Sequence, residues 1–269
     1  MTSTRAGRSV FWVALLTALT ALAACTSSDG ADGRKDRATP DRAVTAALRT
    51  VERSTDAAES ARVDSTTTMG STLSMSADGT LAWGDGLTGT LTITYTGGTT
   101  AETMRRLGTT SMEARYLPDA YYARMGDTFA EKADGKHWIK YGYDDLKRYA
   151  GTAGADLADQ MRGTAPHTSV KLLLSSTDVR KVGEEKVRGE HTTHYSGTVR
   201  GEGATTQSFD IWVDERNLLV KKVEKGRTAT GRLTQTAYYS DYGVKAAVEK
   251  PPAGDTADFK ELLKDPEGH

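Results

Sequence analysis

From Ala61 onward the apolar residues recur with a period of two, and turn residues cut that alternation into short runs. A period of two puts successive side chains on opposite faces, so runs of this kind build strands rather than helices. Leu73 and Met75, then Leu81 and Trp83, flank Ser76-Ala77-Asp78-Gly79, which predicts a hairpin. Leu87, Leu91, Ile93 and Tyr95 alternate with threonine and glycine until Gly97-Gly98 breaks the run. Met112, Ala114 and Tyr116 form the next run, stopped by Pro118-Asp119; Tyr121 to Met125 follows. After the turn Asp134-Gly135 comes His137 to Tyr141, with apolar groups on both faces.

Between Asp144 and Ser176 the pattern turns helical. Leu146, Tyr149, Leu157 and Met161 sit among charged residues, and Leu172, Leu173 and Leu174 follow Pro166, which predicts two or three short helices. Strands resume at Val179. Lys181 to Val187 reads as a hairpin, Thr193 to Val199 as a strand, Gly201-Glu202-Gly203 as a turn, and Phe209 to Val213 as a strand with Trp212 on its other face. Asp214 to Asn217 turns the chain into Leu219 to Val223; Leu233 to Tyr239 is a further strand, and Val244 to Val248 reads as the last. Thr256 caps a short helix carrying Phe259, Leu262 and Leu263. Near the start, Thr39-Pro40-Asp41 followed by Val44, Ala47, Leu48 and Val51 predicts a helix over about residues 40–58. One helix, about six strands, helices and about five strands is not the alternation of a parallel sheet. The fold class is α+β: a large antiparallel sheet, curled by its twist, with helices packed in its concave face.

The first residues are of another kind. An arm with Arg5 and Arg8 leads into an apolar run, Val10 to Leu22, and then Leu22-Ala23-Ala24-Cys25. A basic arm, a short apolar run and small residues at the cut site mark a secretory signal. The run is too short, and too broken by threonine, for a span of about 20 apolar residues. Cys25 is the single cysteine of the chain. Leu-Ala-Ala-Cys at this place resembles the lipobox of bacterial lipoproteins. That resemblance implies diacylglycerol on the Cys25 sulfur, cleavage before Cys25, and tethering to the outer face of the cytoplasmic membrane. The domain assignment is then a signal peptide over 1–24, a flexible tether over 25–38 and a single domain over 39–269. Ser27, Ser28, Gly30, Gly33 and the charges from Arg34 to Arg37 give the tether no apolar period.

Composition closes several routes. Removing residues 1–24 takes away Arg5 and Arg8 and no acid, so the formal charge moves from −1 to −3. No basic face is implied, which argues against a nucleic-acid partner. With Cys25 acylated no thiol is left for disulfides, thiol catalysis or zinc.

A second resemblance covers about residues 40–252. Gly135-Lys136-His137-Trp138-Ile139-Lys140, Asp178 to Gly183 with Val187-Arg188-Gly189 and Thr193-His194-Tyr195, and Ile211-Trp212-Val213-Asp214-Glu215 resemble, in order and spacing, elements of the LppX/LprG-type lipoproteins and their LolA-like relatives. The resemblance implies a half-barrel sheet wrapped round helices, an apolar cavity for acyl chains, carriage of lipids or acylated glycolipids in the cell envelope, and no catalytic residues or cofactor.

Catalytic patterns are weak by comparison. The chain has no Gly-x-Ser-x-Gly elbow and no phosphate-binding loop. His191 and His194 are three apart on a strand and point to opposite faces, which disfavours a shared metal. Asp144-Asp145 suits the first turn of a helix, and Asp156 with Asp159 a solvated face. Trp83, Tyr95, Tyr116, Tyr122, Trp138 and Trp212 suit either a cavity wall or ordinary sheet positions. Two readings stay open. In one, a membrane-anchored lipoprotein holds an apolar ligand between sheet and helices, lined by Leu73, Met75, Trp83, Leu91, Ile93, Tyr116 and Trp138 with Leu172 and Leu173 from the helical insert. In the other, a filled α+β scaffold binds an envelope protein as sensor or assembly partner, which sparse apolar residues and abundant threonine favour.

Overall fold

A computed structural model describes residues 41–149, 164–200, 206–228 and 230–264. The leader 1–24, the tether with Cys25, residues 150–163 with Leu157, Met161, Asp156 and Asp159, and the turn Gly201-Glu202-Gly203 lie outside these residues.

The first helix, α1, spans Arg42–Ala57. Asp41 caps it, its carboxylate accepting the Ala43 N–H at 2.8 Å, so the cap is two residues later than Thr39. Leu48, Val51 and Thr55 fall on one helix face and are buried.

Among the described residues twelve strands then form one open sheet. They are β1 (Ser60–Met69), β2 (Leu73–Ala82), β3 (Thr88–Gly97), β4 (Ser111–Tyr116), β5 (Ala120–Arg124), β6 (Trp138–Gly142), β7 (Arg180–Val187), β8 (Glu190–Arg200), β9 (Thr206–Asp214), β10 (Leu219–Thr228), β11 (Gly231–Ser240) and β12 (Thr256–Asp258). Their order across the sheet is β12-β6-β5-β4-β3-β2-β1-β11-β10-β9-β8-β7. Each half is a run of neighbouring antiparallel strands, and the pairing of β1 with β11 joins the halves. Among the described residues the one parallel pairing is β12 on β6. Asp255 pins that edge: its carboxylate accepts both the His137 backbone N–H at 2.8 Å and the ring Nδ1–H at 2.7 Å. The opposite edge, β7, exposes Arg180, Lys181, Glu184, Glu185 and Lys186.

The helices α2 (Gly98–Arg106), α3 (Asp127–Ala130), α4 (Tyr143–Tyr149), α5 (Pro166–Leu174) and α6 (Phe259–Lys264) interrupt this order. Leu48 and Val51 of α1, Ala101 and Met104 of α2, Leu146 of α4, and Val170 and Leu173 of α5 share one apolar cluster with Leu81, Leu91, Ile93, Ala114, Phe209, Ile211 and Val213 of the strands. One sheet face is therefore helix-covered. The opposite, outer face carries two small clusters, Ala120 with Tyr122 and Trp138, and Val187 with Trp212 and Val220.

Five local expectations need correction. Thr256 does not cap α6: it opens β12, its hydroxyl donating to Pro252 C=O at 2.8 Å, and the carboxylate at the start of the helix is Asp258, which accepts the Lys260 N–H at 3.2 Å. Asp78-Gly79 is not a turn; β2 runs straight through it, paired to Asp64 and Val63 of β1. Gly79, at φ +153°, lacks the Cβ that would lie 2.1 Å from the Thr90 carbonyl, so the two backbones can close up. The true turn is at Gly70, φ +52°, where Thr72 N–H bonds Met69 C=O at 3.0 Å. Lys181–Val187 is one strand, and its hairpin turn is Arg188-Gly189, both at positive φ. Val244–Val248 forms no strand. Finally α2 follows directly on Gly97-Gly98, where the sequence offered only punctuation.

Candidate functional site

The registers arrange the helix-covered face in rows. One row runs Ile93, Ala77, Ser65, Ala237, Lys222, Ile211 and Tyr195 across β3, β2, β1, β11, β10, β9 and β8. The next runs Tyr95, Met75, Thr67, Gln235, Glu224, Phe209 and Gly197. A third holds Leu73, Met69, Leu233 and Gly226. Large side chains thus stand at the flanks of the first row, and small ones, Ala77, Ser65 and Ala237, at its centre. At the Leu73 end the floor is only partly covered: Leu73, Met69, Met75 and Leu233 are all half-buried.

A polar cluster interrupts this apolar floor. The Lys222 side chain is 12% exposed and the Glu224 side chain 16%. Lys222 Nζ donates to Gln235 Oε1 at 2.9 Å and lies 3.7 Å from Glu224 Oε2; Gln235 Nε2 donates to Thr67 Oγ1 at 3.4 Å. Burial holds the Lys222 ammonium below the usual lysine range, against the pull of Glu224. Charges so placed are costly unless paired, and this pair is internally neutral.

Toward β12 the same face is aromatic. Tyr116 and Tyr121 meet edge to face with ring centroids 5.2 Å apart; Tyr141 lies 5.9 Å from Tyr121 and 4.9 Å from Phe259 of α6. Burial raises the hydroxyl of Tyr95 to about 12 and lifts those of Tyr116, Tyr121 and Tyr141 further. Toward β7 the face is closed by α1 and α5. Thr55 Oγ1 accepts the Leu219 N–H at 3.3 Å, Tyr242 Oη donates to Leu219 C=O at 2.6 Å, and Trp83 Nε1 donates to Asp56 C=O at 3.0 Å.

No family model matches the chain. Two curated Streptomyces proteins do. The chain is 72% identical over 217 residues to "Putative lipoprotein SCO4650" of Streptomyces coelicolor, covering 81% of this chain and 75% of that one. It is 47% identical over 244 residues to an uncharacterized 31.2 kDa protein of Streptomyces griseus, covering 81% of this chain and 80% of the relative. The chain belongs to the family of these two Streptomyces proteins. Its fold is that of two solved mycobacterial structures. LprF of Mycobacterium bovis superposes with a TM-score of 0.51 at 15% identity, over 80% of this chain and all of that one. Lipoprotein LppX of Mycobacterium tuberculosis gives 0.51 at 18%, over 78% of this chain and all of the other. The large, open, antiparallel-dominated sheet with its helices is thus the LppX/LprF-type fold expected from the sequence.

Within this fold the nine apolar candidates divide between surroundings. Leu73, Met75, Trp83, Leu91, Ile93, Tyr116 and Leu173 belong to the helix-covered face. Trp83 is taken up beneath the helices, its ring 6.1 Å from His167 and 6.4 Å from Tyr242. Trp138 points to the outer face instead, under the Arg115 guanidinium at 4.6 Å, and Arg115 also donates to Glu249 C=O. Leu172 is 41% exposed on α5, beside a fully buried Leu173. Tyr122 and Trp212 also face outward. Cys25 lies outside the described residues.

The titratable groups the sequence singled out are spread apart. His194 stacks on Trp212 at 4.3 Å on the outer face and meets Asp210 at 2.9 Å, while His191 is exposed near the β7–β8 turn. Asp144 and Asp145 lie in the first turn of α4, and Asp145 pairs with Lys260 at 3.3 Å. A cleft of about 350 Å³ on the outer face is lined by Thr90, Thr92, Glu113, Arg124, Asp127 and His137 among others. A second, of about 260 Å³, lies by Glu59, Gly84, Asp85 and Val244. None of the nine apolar candidates lines either cleft. Among the described residues no group of three or more His, Cys, Asp or Glu side chains is placed to hold a metal, and no helix is long and apolar enough to cross a membrane.

Sequence reasoning missed Lys222, Glu224, Gln235 and Thr67. Strict alternation from Leu219 points Lys221 and Val223 inward and Lys222 outward. A register shift between Leu219 and Lys221 reverses this. Two charged residues spaced by two, in a strand flanked by leucine and valine, were the available signal.

Proposed function

We propose that the chain is a membrane-anchored envelope lipoprotein, acylated at Cys25, that takes a lipid or acylated glycolipid between its sheet and its helices. The observation that carries this reading is the floor of Ala77, Ser65 and Ala237, walled by Ile93, Ile211, Tyr95 and Phe209 and half-open at Leu73, Met75 and Leu233. Small side chains at the middle of a broad apolar face are what a groove for an acyl chain needs, where a filled core would place leucine or phenylalanine. An acyl chain laid there gains about 25 cal/mol per Å² of apolar surface removed from water, before ordering costs. The Leu22 to Cys25 motif and the relative named as a lipoprotein support the anchor, and the tether 25–38 gives the domain reach from the bilayer. The anchor would sit on the outer face of the cytoplasmic membrane. The chain works in this reading as carrier or chaperone, without catalysis and without a cofactor.

A second reading, a scaffold for an envelope protein, draws on the β7 side, where Leu48, Val170, Leu173, Ile211 and Leu219 are fully buried. Native mass spectrometry of the intact protein, released from its own membranes in mild detergent, separates the two. A co-purifying mass that fragments to acyl chains is the expected result. A bare mass, with no shift on adding envelope lipids, overturns the carrier reading and favours the scaffold.

A further inference from the structure

We propose that Lys222 and Glu224, with Gln235 and Thr67, form the recognition site for an uncharged polar head, ester carbonyls and hydroxyls, of the acyl ligand, and that the site discriminates against free fatty acids. The inference rests on the carrier reading. A lysine and a glutamate in the floor of an apolar face lose hydration that a leucine and a methionine there would not need. Their mutual contact is loose: the ammonium stands 3.7 Å from the carboxylate and makes its close bond, 2.9 Å, to Gln235 instead. Lys222 has three N–H donors and Glu224 can accept about four hydrogen bonds. Gln235 and Glu224 take up two of those donors at most, and the Glu224 carboxylate faces Lys222 with the Tyr239 phenol within electrostatic reach. Donor and acceptor capacity is thus left over on both residues.

Position gives the leftover capacity its use. Glu224 is in register with Gln235 and Phe209, Gln235 with Thr67, and Thr67 with Met75, so the polar groups share one row with the apolar wall. Leu73, Met69 and Leu233 of the next row continue the apolar floor beside them. A molecule with acyl chains on that floor would present its linkage to these four side chains. The sign of the charges chooses the linkage. A carboxylate or phosphate approaching Lys222 also meets Glu224 across the pair; a hydroxyl donates to Glu224, and an ester carbonyl accepts from Lys222, without that repulsion.

The test uses the full acylated chain in phosphatidylcholine vesicles with two photoreactive probes of equal acyl length: a diazirine-bearing diacylglycerol and the corresponding free fatty acid. Peptide mapping reads labelling of β1, β2 and β11. One hydrogen bond to a charged group corresponds to about a tenfold preference, so the wild type is expected to favour the diacylglycerol by about that factor. The double variant K222M/E224L replaces the pair by apolar groups of similar size, which folds commonly tolerate. It is expected to keep its melting temperature and to lose the preference, its diacylglycerol labelling falling toward that of the fatty acid. Equal or stronger labelling by the fatty acid in the wild type, or a preference kept by the double variant, overturns the head-group assignment and leaves the carrier reading standing. Labelling of those strands by neither probe overturns the carrier reading and this assignment with it.

Discussion

Thr55 near the end of α1 accepts the backbone N–H of Leu219 at 3.3 Å, and both residues are fully buried. Leu219 stands where the β9–β10 register shifts, so its N–H needs a partner outside the strand ladder. A helix side chain supplies it, and with it the point at which α1 is fixed to the sheet.

Thr55→Val keeps the shape and removes the acceptor. It should cost about 1–3 kcal/mol, the penalty for a buried orphan donor, and lower the melting temperature by several degrees. Thr55→Ser should recover most of the loss. A Thr55→Val protein that melts with the wild type would show that Leu219 finds another partner.

Gly79 is a second pressure point. An added Cβ would lie 2.1 Å from the Thr90 carbonyl oxygen and 2.9 Å from Leu91 Cα, both backbone atoms that cannot rotate away. Gly79→Ala should force β2 and β3 apart and cost about 3 kcal/mol or more, read as a fall in the urea midpoint. Gly183→Ala, with open space around the added methyl, is the matched control.

The buried tyrosines set an alkaline limit. Exposed tyrosine ionises near pH 10; in the fold burial holds Tyr95 to about 12 and raises Tyr116, Tyr121, Tyr141 and Tyr239 as well. Between pH 10 and 12 the unfolded chain therefore binds fewer protons than the folded one. The stabilisation is complete below pH 10 and is lost as pH rises through that window. Lys222, whose folded pKa is lowered, acts with the opposite sign, but it is one group against five. Tyrosinate absorbance should rise together with loss of circular dichroism; ionisation well before unfolding would contradict the burial of these hydroxyls.

The anchor has its own check. Mass spectrometry of the mature protein should find residue 25 at the N-terminus with a diacylglycerol adduct, and Cys25→Ser should carry neither the adduct nor radiolabelled palmitate. A wild-type protein without acyl mass would remove the lipid anchor from the proposal.

Much of the fold could be read in the alternation of apolar residues, because strands such as Leu91-Thr92-Ile93 and Phe209-Asp210-Ile211 are buried on one face only. Glycine misled where it served contact rather than reversal: Asp78-Gly79 looks like a hairpin, yet Gly79 is there to let two strands approach. The polar cluster was hidden for a different reason. Lys222 faces inward because one irregularity at Leu219 reverses the parity of everything after it, and alternation carries no mark of such a shift. Trp138 and Ile139 show the remaining gap. With apolar groups on both faces of β6, nothing local says that Trp138 takes the outer one.

An open sheet has two rims, and each offers unpaired peptide groups to a neighbour. One rim here is only three residues long, Thr256–Asp258. The other, β7, carries Arg180, Lys181, Glu184, Glu185 and Lys186 in contact with water. For proteins confined to one leaflet, lateral encounters are frequent and their orientations restricted. A second copy docking strand to strand would have to dehydrate five charges to gain a few backbone hydrogen bonds. That rim is what would let many copies crowd a membrane surface and still remain separate molecules.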